Sequence, residues 1–291
     1  MREDASFVDG QGVVIHHYRW EAERPRAVVQ LVHGLGEYAT RYEQWGLIPS
    51  LVAAGYSVVA EDHRGHGATG LEQWNGDHSK LGRLGPGGWP AVLADVRRLS
   101  EIVRERDADL PLVLLGHSLG SIIAQQLIDA DNGAGSLAYD AVVLSGTAYR
   151  TFRHMNSGDL NTRHRALGPT TAEWLSRDRA VVDAFAADPL TFEAKVLTLF
   201  GLVDSLRLMG TPGRLQHDLP LYIVIGDEDP LGGPGSVELL AQAYGERGGL
   251  SDVTVQIYPG ARHEVFNETN RVEAVADLLA WLGQHLPETT R

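Results

Sequence analysis

The five residues from Gly116 to Gly120 spell G-x-S-x-G, a motif that can carry nucleophilic chemistry at Ser118. An apolar run at 112–115 predicts a buried strand before the motif, and residues 122–128 predict a helix after it. A serine between a strand and a helix lies at the tip of a tight, strained turn with its hydroxyl exposed. The helix N-terminus then directs backbone N–H groups toward a developing oxyanion. The pattern therefore predicts a nucleophile elbow for acyl transfer.

A serine nucleophile requires a base, and the base requires a carboxylate that orients it. With this elbow the chain order is serine, acid and histidine, and each residue lies in a loop just after a strand. The predicted strand at 253–258 leads to His263, which is the sole histidine of its loop. The predicted strand at 221–225 leads to two aspartates, so the acid is Asp227 or Asp229.

The same chemistry requires two backbone N–H groups that stabilise the oxyanion of the tetrahedral intermediate. One donor belongs to the residue after the nucleophile, which is Leu119. The other lies in the loop after an early strand, where the sequence His33-Gly34-Leu35 makes Leu35 the candidate. His33, His63 and His66 have no acidic or thiol set at ligand spacing beside them, so we expect hydrogen-bonding roles for them and no metal.

The elements that must position these residues alternate along the chain between apolar runs and amphipathic segments. After two early strands within residues 5–20, six apolar runs predict buried strands: 27–32, 56–60, 112–115, 141–146, 221–225 and 253–258. Helices are predicted at about 41–54, 89–106, 122–128, 237–244 and 270–285. Residues 68–87 are glycine-rich and are expected to be irregular. Strands that alternate with helices predict an α/β fold with a mostly parallel central sheet and helices on both faces.

Residues 147–215 interrupt this alternation, because they contain no convincing strand and only short helical pieces near 171–177, 179–187 and 194–209. Such an insertion between two strands of one sheet is expected over the carboxyl ends of the strands, where these sheets bind ligands. The sequence therefore predicts a core of residues 1–146 and 216–291, with a helical cap of residues 147–215 inserted in it.

Four motifs resemble those of monoacylglycerol lipases and of their bacterial lysophospholipase-like relatives. They are HGLGEY with Arg41-Tyr42 at 33–42, DHRGHG at 62–67, GHSLG at 116–120 and YPGARHE at 258–264. The resemblance spans about residues 13–283 and implies the α/β-hydrolase fold, a serine hydrolase and no cofactor. It also implies that Leu35 and Leu119 are the oxyanion donors. Glu37 and Arg41 match polar positions near the alcohol-binding side, which implies that they bind substrate.

The resemblance also separates the two candidate acids, because Asp229 occupies the fourth position of a G-x-x-D pattern. Pro230 restricts the backbone of Asp229 to extended conformations, which helps to fix its side chain. Asp227 follows the glycine directly and is expected to brace the turn through its own backbone. We therefore predict a catalytic triad of Ser118, Asp229 and His263.

The chain of 291 residues carries a net charge of −13, which disfavours nucleic acid partners and gives no electrostatic attraction to anionic lipid. It has no cysteine, so neither a thiol nucleophile nor a disulfide is available. We see no signal peptide and no apolar run of transmembrane length, and we expect a cytoplasmic protein. The segment 196–209 has only two charges. This predicts that one face lines an acyl tunnel and that another contacts lipid aggregates at a membrane periphery.

These observations predict a serine ester hydrolase that cleaves monoacylglycerol-type lipids through an acyl-enzyme. Three alternatives within the same chemistry stay open: lysophospholipase, thioesterase and small-ester esterase. A peptidase of the proline-iminopeptidase type shares the fold, and a non-catalytic ligand receptor of the hydrolase type can retain the three residues. The sequence does not determine the alcohol group, the acyl length or the oligomeric state.

Overall fold

The structure is a computed structural model that describes residues 2–130 and 139–286. Within these residues eight strands form one sheet: β1 (Arg2–Val8), β2 (Val14–Trp20), β3 (Ala27–Val32), β4 (Tyr56–Glu61), β5 (Leu112–His117), β6 (Ala141–Ser145), β7 (Leu221–Gly226) and β8 (Val253–Tyr258). Their spatial order is β1-β2-β4-β3-β5-β6-β7-β8, and all neighbours from β4 to β8 in this order are parallel. β2 is antiparallel to both β1 and β4. The predicted mostly parallel sheet is confirmed, and the carboxyl ends of six strands meet at one edge.

Eight α-helices accompany the sheet in the described ranges: α1 (Leu47–Ala53), α2 (Gly67–Gln73), α3 (Gly88–Arg106), α4 (Leu119–Ala130), α5 (Arg179–Ala187), α6 (Val196–Arg207), α7 (Pro234–Ala243) and α8 (Arg271–His285). Leu112 and Leu114 of β5 pack into a hydrophobic core with α3, α4 and α7. Val113 and Leu115 pack into a second core with α1 and α8, on the other face of the sheet. Residues 112–115 of this strand are all apolar because both of its faces are covered. None of these helices is long and apolar enough to cross a membrane.

Two local predictions outside residues 147–215 are wrong, and each difference has a local cause. Residues 68–87, expected to be irregular, include most of α2, whose first turn is held because Asp62 accepts a hydrogen bond from Ala68 N at 2.8 Å. The single helix predicted at 41–54 is divided by Gly46, which has a left-handed φ of 101°. A short 3-10 turn precedes this glycine and α1 follows it.

Residues 147–215 connect β6 to β7, and this fully described segment contains α5 and α6 but no strand. The helical piece predicted at 171–177 is wrong, because these residues form turns. α6 bends at Gly201, where φ is 74° and ψ is 175°. Phe192 N donates to Gly36 O at 3.1 Å, so the segment contacts the loop that follows β3. The division of the chain into a core and a cap stays a prediction.

Candidate active site

Ser118 lies between β5 and α4 in a strained backbone conformation. Its φ of 53° is one of two left-handed values at non-glycine residues of the described chain. Its N–H donates to Ser145 O at 2.9 Å, which ties the turn to β6. A Cβ at Gly116 would overlap Gly120 O, and a Cβ at Gly120 would overlap Val32 O, so both positions require glycine. The strand, turn and helix predicted around the G-x-S-x-G motif are therefore present.

His263 and Asp229 lie in the loops that follow β8 and β7, and their side chains are in direct contact. His263 Nδ1 is 2.9 Å from Asp229 Oδ1, which also accepts from Leu231 N at 2.9 Å. His263 Nε2 is buried and has no hydrogen-bond partner among the described residues. Burial lowers the pKa of His263, but the charge and hydrogen bond of Asp229 outweigh this effect and raise the pKa overall. Asp227 instead accepts from Gly260 N at 2.6 Å, so the carboxylate at the histidine is that of Asp229.

Ser118 and His263 both lie against the turn that follows β6. Ser145 accepts the hydrogen bond from Ser118 N, and a Cβ on the next residue, Gly146, would lie 3.0 Å from His263 Cε1. The ring of His117, which precedes the serine, is centred 4.9 Å from the ring of His263. The fold therefore brings the predicted serine, histidine and aspartate to the edge where β5, β7 and β8 end.

A cavity of about 240 Å³ opens beside Ser118 and is lined mainly by apolar side chains. Leu35 and Leu119 line it with the serine, and most other walls come from the 147–215 segment, including Phe152, Met155, Leu160, Val196, Leu202 and Met209. Within the described residues, the backbone N–H groups of Leu35 and Leu119 donate to no acceptor. A Cβ at Gly34 would lie 3.0 Å from Ser118 Cβ, so the loop of Leu35 approaches the serine closely. Both N–H groups can therefore donate to a ligand.

A second cavity of about 670 Å³ lies within the 147–215 segment. It borders the first cavity, because both are lined by Ser157, Gly158, Leu160, Ala194, Val196 and Leu197. Two of its walls carry ion pairs, one between Arg165 and Asp159 and the other between Lys195 and Glu193. The smaller cavity is thus apolar, and the larger one carries charges that are already paired.

Glu37 and Arg41 form a buried ion-pair network with Glu264. Arg41 Nη1 lies 2.8 Å from Glu37 Oε2, and the two terminal nitrogens of Arg41 lie 2.7 and 2.9 Å from the Glu264 oxygens. Glu37 Oε1 accepts from Gly34 N at 2.8 Å and from the Tyr42 hydroxyl at 2.6 Å. Burial raises the pKa of Glu37; Arg41 opposes this effect and Glu264 adds to it. Neither Glu37 nor Arg41 lines the smaller cavity, and their substrate-binding role stays a prediction.

His33, His63 and His66 pack ring against ring beneath the loop of Leu35. The ring centres of His33 and His63 are 3.9 Å apart, and those of His33 and His66 are 5.2 Å apart. His63 N donates to His33 Nε2 at 3.0 Å, which is a hydrogen-bonding role of the kind expected. In the part of the chain that the structure describes, no group of three or more His, Cys, Asp or Glu residues is placed to hold a metal ion.

Two residues at the site were not identified from the sequence. Trp174 has its ring centre 4.7 Å from that of His263, and Glu264 holds both terminal nitrogens of Arg41. Both contacts join parts of the chain that are far apart in sequence. Local periodicity and spacing carry no signal for such contacts, whereas the triad residues each follow a recognisable strand.

Similarities to known proteins extend over most of the chain. The family model Hydrolase_4, described as serine aminopeptidase S33, matches residues 23–270. The monoacylglycerol lipase of Mycolicibacterium smegmatis is 33% identical over 98% of both chains, and phospholipase YtpA of Bacillus subtilis is 33% identical over 92% of this chain and 100% of its own. A solved carboxyl esterase from Bacillus coagulans, in complex with glycerol, has a TM-score of 0.80 at 25% identity, with 98% and 99% of the two chains covered. The predicted α/β-hydrolase fold is confirmed, and the chain belongs to the serine aminopeptidase S33 family.

Proposed function

We propose that this protein hydrolyses monoacylglycerol-type lipid esters through a triad of Ser118, His263 and Asp229. The observation that carries the proposal is the hydrogen bonding of the two ring nitrogens of His263. Asp229 holds Nδ1, and Nε2 is left without a partner near the strained serine. A non-catalytic receptor has no need of a base oriented in this way. The similarity to a monoacylglycerol lipase over 98% of the chain supports a lipid ester as substrate.

The acylation step follows from the atoms at the site. His263 Nε2 accepts the proton of the Ser118 hydroxyl while Oγ forms a bond to the ester carbonyl carbon. The carbonyl oxygen becomes an oxyanion, which accepts hydrogen bonds from the N–H groups of Leu35 and Leu119. His263 then gives the proton to the leaving alcohol oxygen as the ester C–O bond breaks. Asp229 stabilises the imidazolium without taking its proton.

Water completes the cycle by the same proton transfers in reverse order. His263 accepts a proton from water while the water oxygen bonds to the acyl carbon of the acyl-enzyme. The second oxyanion collapses, the bond to Ser118 Oγ breaks, and His263 returns the proton to Oγ. The products are a fatty acid and an alcohol, and every atom comes from the ester and one water molecule. The proposed reaction therefore uses no cofactor.

The smaller cavity supports a fatty acyl chain as the acid part of the substrate. Its walls are largely apolar, and each buried methylene contributes about 0.8 kcal/mol to binding. An acetyl group would leave most of the 240 Å³ unfilled. Medium and long acyl chains should therefore be preferred over short ones.

The larger cavity supports an uncharged alcohol rather than a phosphate headgroup. Both cations that line it, Arg165 and Lys195, already pair with Asp159 and Glu193. Because each cation is balanced by a carboxylate, these four side chains offer a phosphate no net positive charge, whereas glycerol hydroxyls require only polar neighbours. This pairing favours a monoacylglycerol over a lysophospholipid as the substrate.

We also propose that residues 147–215 form a cap that contacts lipid aggregates. Leu202 and Val203 on α6 are 66% and 65% exposed, and Phe152 is 72% exposed. Exposed apolar residues that adjoin one another mark contact surfaces on soluble proteins. Leu202 and Phe152 also line the smaller cavity, so an acyl chain can pass from an aggregate into the site along apolar surface.

A substrate panel tests this function. We expect the highest kcat/KM for medium-chain monoacylglycerols, lower values for lysophosphatidylcholines, and no turnover of aminoacyl p-nitroanilides. Values for p-nitrophenyl esters should rise from acetate to dodecanoate when measured below micelle formation. A fluorophosphonate probe should label the wild-type protein and not Ser118→Ala. Faster turnover of lysophospholipids would transfer the function to that class, and failure of both labelling and turnover would favour a receptor.

A further inference from the structure

Trp174, in the 147–215 segment, lies directly against the imidazole of His263. The two ring centres are 4.7 Å apart, and the ring planes are inclined by 43°. The carbonyl oxygen of Trp174 also accepts a hydrogen bond from His263 N at 3.4 Å. The side chain and the backbone of one residue therefore both contact the proposed base.

This contact belongs to a clamp between residues 173–176 and residues 262–264. Arg262 Nη1 donates to the carbonyl oxygens of Glu173 and Ser176, at 2.6 and 2.8 Å. Two further hydrogen bonds run from the backbone of 263 and 264 to the backbone of 174 and 175. The loop that carries the base is thus held by a segment outside the sheet.

Other residues of the 147–215 segment also hold the indole of Trp174 in place. Trp174 is 9% exposed and packs with Ala172, Leu175 and Val182 in a small hydrophobic cluster. Its backbone N–H donates to Asn161 Oδ1 at 3.0 Å. Packing and backbone bonds therefore fix the indole before any ligand is bound.

Four titratable groups surround His263 besides this aromatic ring: Asp229, Glu264 and Glu37 raise its pKa, and the ring of His117 is centred 4.9 Å from its own. Asp229 contacts Nδ1, and the two glutamates are held in the ion-pair network described above. Burial and the charge of His263 lower the pKa of His117 to about 3, so the His117 ring is neutral. Protonated His263 is hydrogen-bonded to one carboxylate, that of Asp229. The indole of Trp174 lies within 6 Å of this buried cation, and an aromatic face at that distance attracts a cation electrostatically.

We infer that Trp174 is a positioning residue for the base: its indole fixes the imidazole of His263 and stabilises the imidazolium that forms in acylation and deacylation. The inference rests on the proposed function, in which His263 is the base. Trp174 also lines the larger cavity, so a leaving alcohol there meets the residue that holds the base. Loss of the Trp174 indole should therefore destabilise the protonated form of the His263 ring.

Trp174→Leu removes the aromatic face and keeps an apolar cover over the imidazole. In the pH profile of kcat/KM, the acid limb should move to lower pH by about 0.4 to 1.5 units. The plateau value of kcat/KM should fall about 2- to 30-fold. Trp174→Phe retains a ring and should give smaller changes of the same sign. Phe192→Leu is the matched control, because Phe192 lines the larger cavity and its ring contacts that of His66 rather than that of His263. It should change KM and leave the acid limb in place.

A second measurement does not depend on turnover. The titration of the His263 ring, followed by NMR in Ser118→Ala protein, should shift to lower pH when Trp174→Leu is added. If neither this titration nor the acid limb moves, the inference is overturned and Trp174 is only a cavity wall. A wild-type protein that hydrolyses no ester would overturn the proposed function, and the NMR titration would still decide the contact. If Trp174→Leu does not fold, the same comparison with Trp174→Phe decides, with the smaller shift expected.

Discussion

The Nδ1 atom of His63 lies 3.1 Å from Oε1 of Glu61, at the base of the loop that carries Leu35. His63 Nε2 lies 3.2 Å from His33 O, and Nε2 must carry a hydrogen because a carbonyl only accepts. In a neutral ring Nδ1 is then an acceptor, so the proton between the two side chains belongs to Glu61. Burial raises the pKa of Glu61 well above its usual value and lowers the pKa of His63 to about 4. Burial and the hydrogen-bond geometry therefore both favour the protonated form of Glu61.

Glu61→Gln should keep kcat close to that of the wild type, because an amide N–H can donate to His63 Nδ1 as the carboxylic acid does. Glu61→Ala leaves that nitrogen unpaired beneath the loop of Leu35 and should lower kcat by about tenfold. Steady-state kinetics on one p-nitrophenyl ester compare the two variants. Equal loss in both would show that the donated hydrogen bond is not what matters.

The free energy of unfolding of the wild type should decrease relative to that of Glu61→Gln as the pH rises. Because the folded pKa of Glu61 is raised, the folded state binds an extra proton above the unfolded pKa of about 4.3. The wild-type free energy of unfolding should therefore fall, relative to Glu61→Gln, by about 1.4 kcal/mol per pH unit until the folded pKa is reached. Arg64 and Asp62 near Glu61 are common to both proteins, but the pKa of Asp95, raised to about 7, depends in part on Glu61, so the difference is taken between two proteins that both carry Asp95→Asn. Urea unfolding at pH 5, 6 and 7 measures it, and a difference that is constant with pH would mean an ionised Glu61.

Asp229→Asn and Asp227→Asn should differ greatly in their effect on turnover. The first removes the charge that contacts His263 Nδ1 and should lower kcat on the order of 10⁴-fold. The second weakens a bond to Gly260 N and should change kcat by less than about tenfold. Circular dichroism confirms that both variants fold, and the reverse ranking would give the role to Asp227.

Gly120→Ala and Gly283→Ala should change stability in opposite directions, although both glycines lie in helices. A Cβ at Gly120 would overlap Val32 O, so the variant should fail to fold or lose more than about 3 kcal/mol. Gly283 in α8 has no neighbour within 4 Å of the added Cβ, and alanine there should stabilise by up to about 1 kcal/mol. Thermal unfolding of the pair measures both signs. A well-folded Gly120→Ala would show that β3 and α4 are less tightly packed than described.

Val203→Asp and Val272→Asp form a matched pair for the proposed lipid contact. Val203 on α6 is 65% exposed near the mouth of the smaller cavity, and Val272 on α8 is 81% exposed. Val203→Asp should weaken binding to phosphatidylcholine vesicles by about tenfold or more, because a buried valine contributes about 1.5 kcal/mol and a carboxylate resists burial. Val272→Asp should leave vesicle binding unchanged. Flotation assays give the result, and equal binding by both variants would argue against contact through α6.

The residues of the proposed triad can be located in the sequence because their signals are local. Ser118 carries its motif, and Asp229 and His263 each follow a strand that is apolar in sequence. The partner of Arg41 could not be predicted in this way, since Glu264 lies 223 residues further along the chain. Only folding brings these two together, and no period or spacing in the sequence records the contact.

α2 cannot be predicted from the sequence for a different reason. Three glycines near 65–70 lower helix propensity, and propensity was the only local evidence. A Cβ at Gly70 would overlap the backbone of Gly65, so glycine is required here by close packing rather than by irregular structure. Tertiary contacts override propensity at such positions, which is why the sequence pattern was misleading.

The clamp between residues 173–176 and 262–264 limits how freely this enzyme's specificity can be re-engineered. A transplant of residues 147–215 from a relative would replace the walls of both cavities, but it would also replace the partner of the loop that holds His263. A chimera made at those boundaries should lose rate on every substrate, including those for which the donor segment was chosen. A graft that keeps residues 173–176 of the recipient retains the indole of Trp174 and the backbone conformation that presents its carbonyl oxygens to Arg262, and should change selectivity alone.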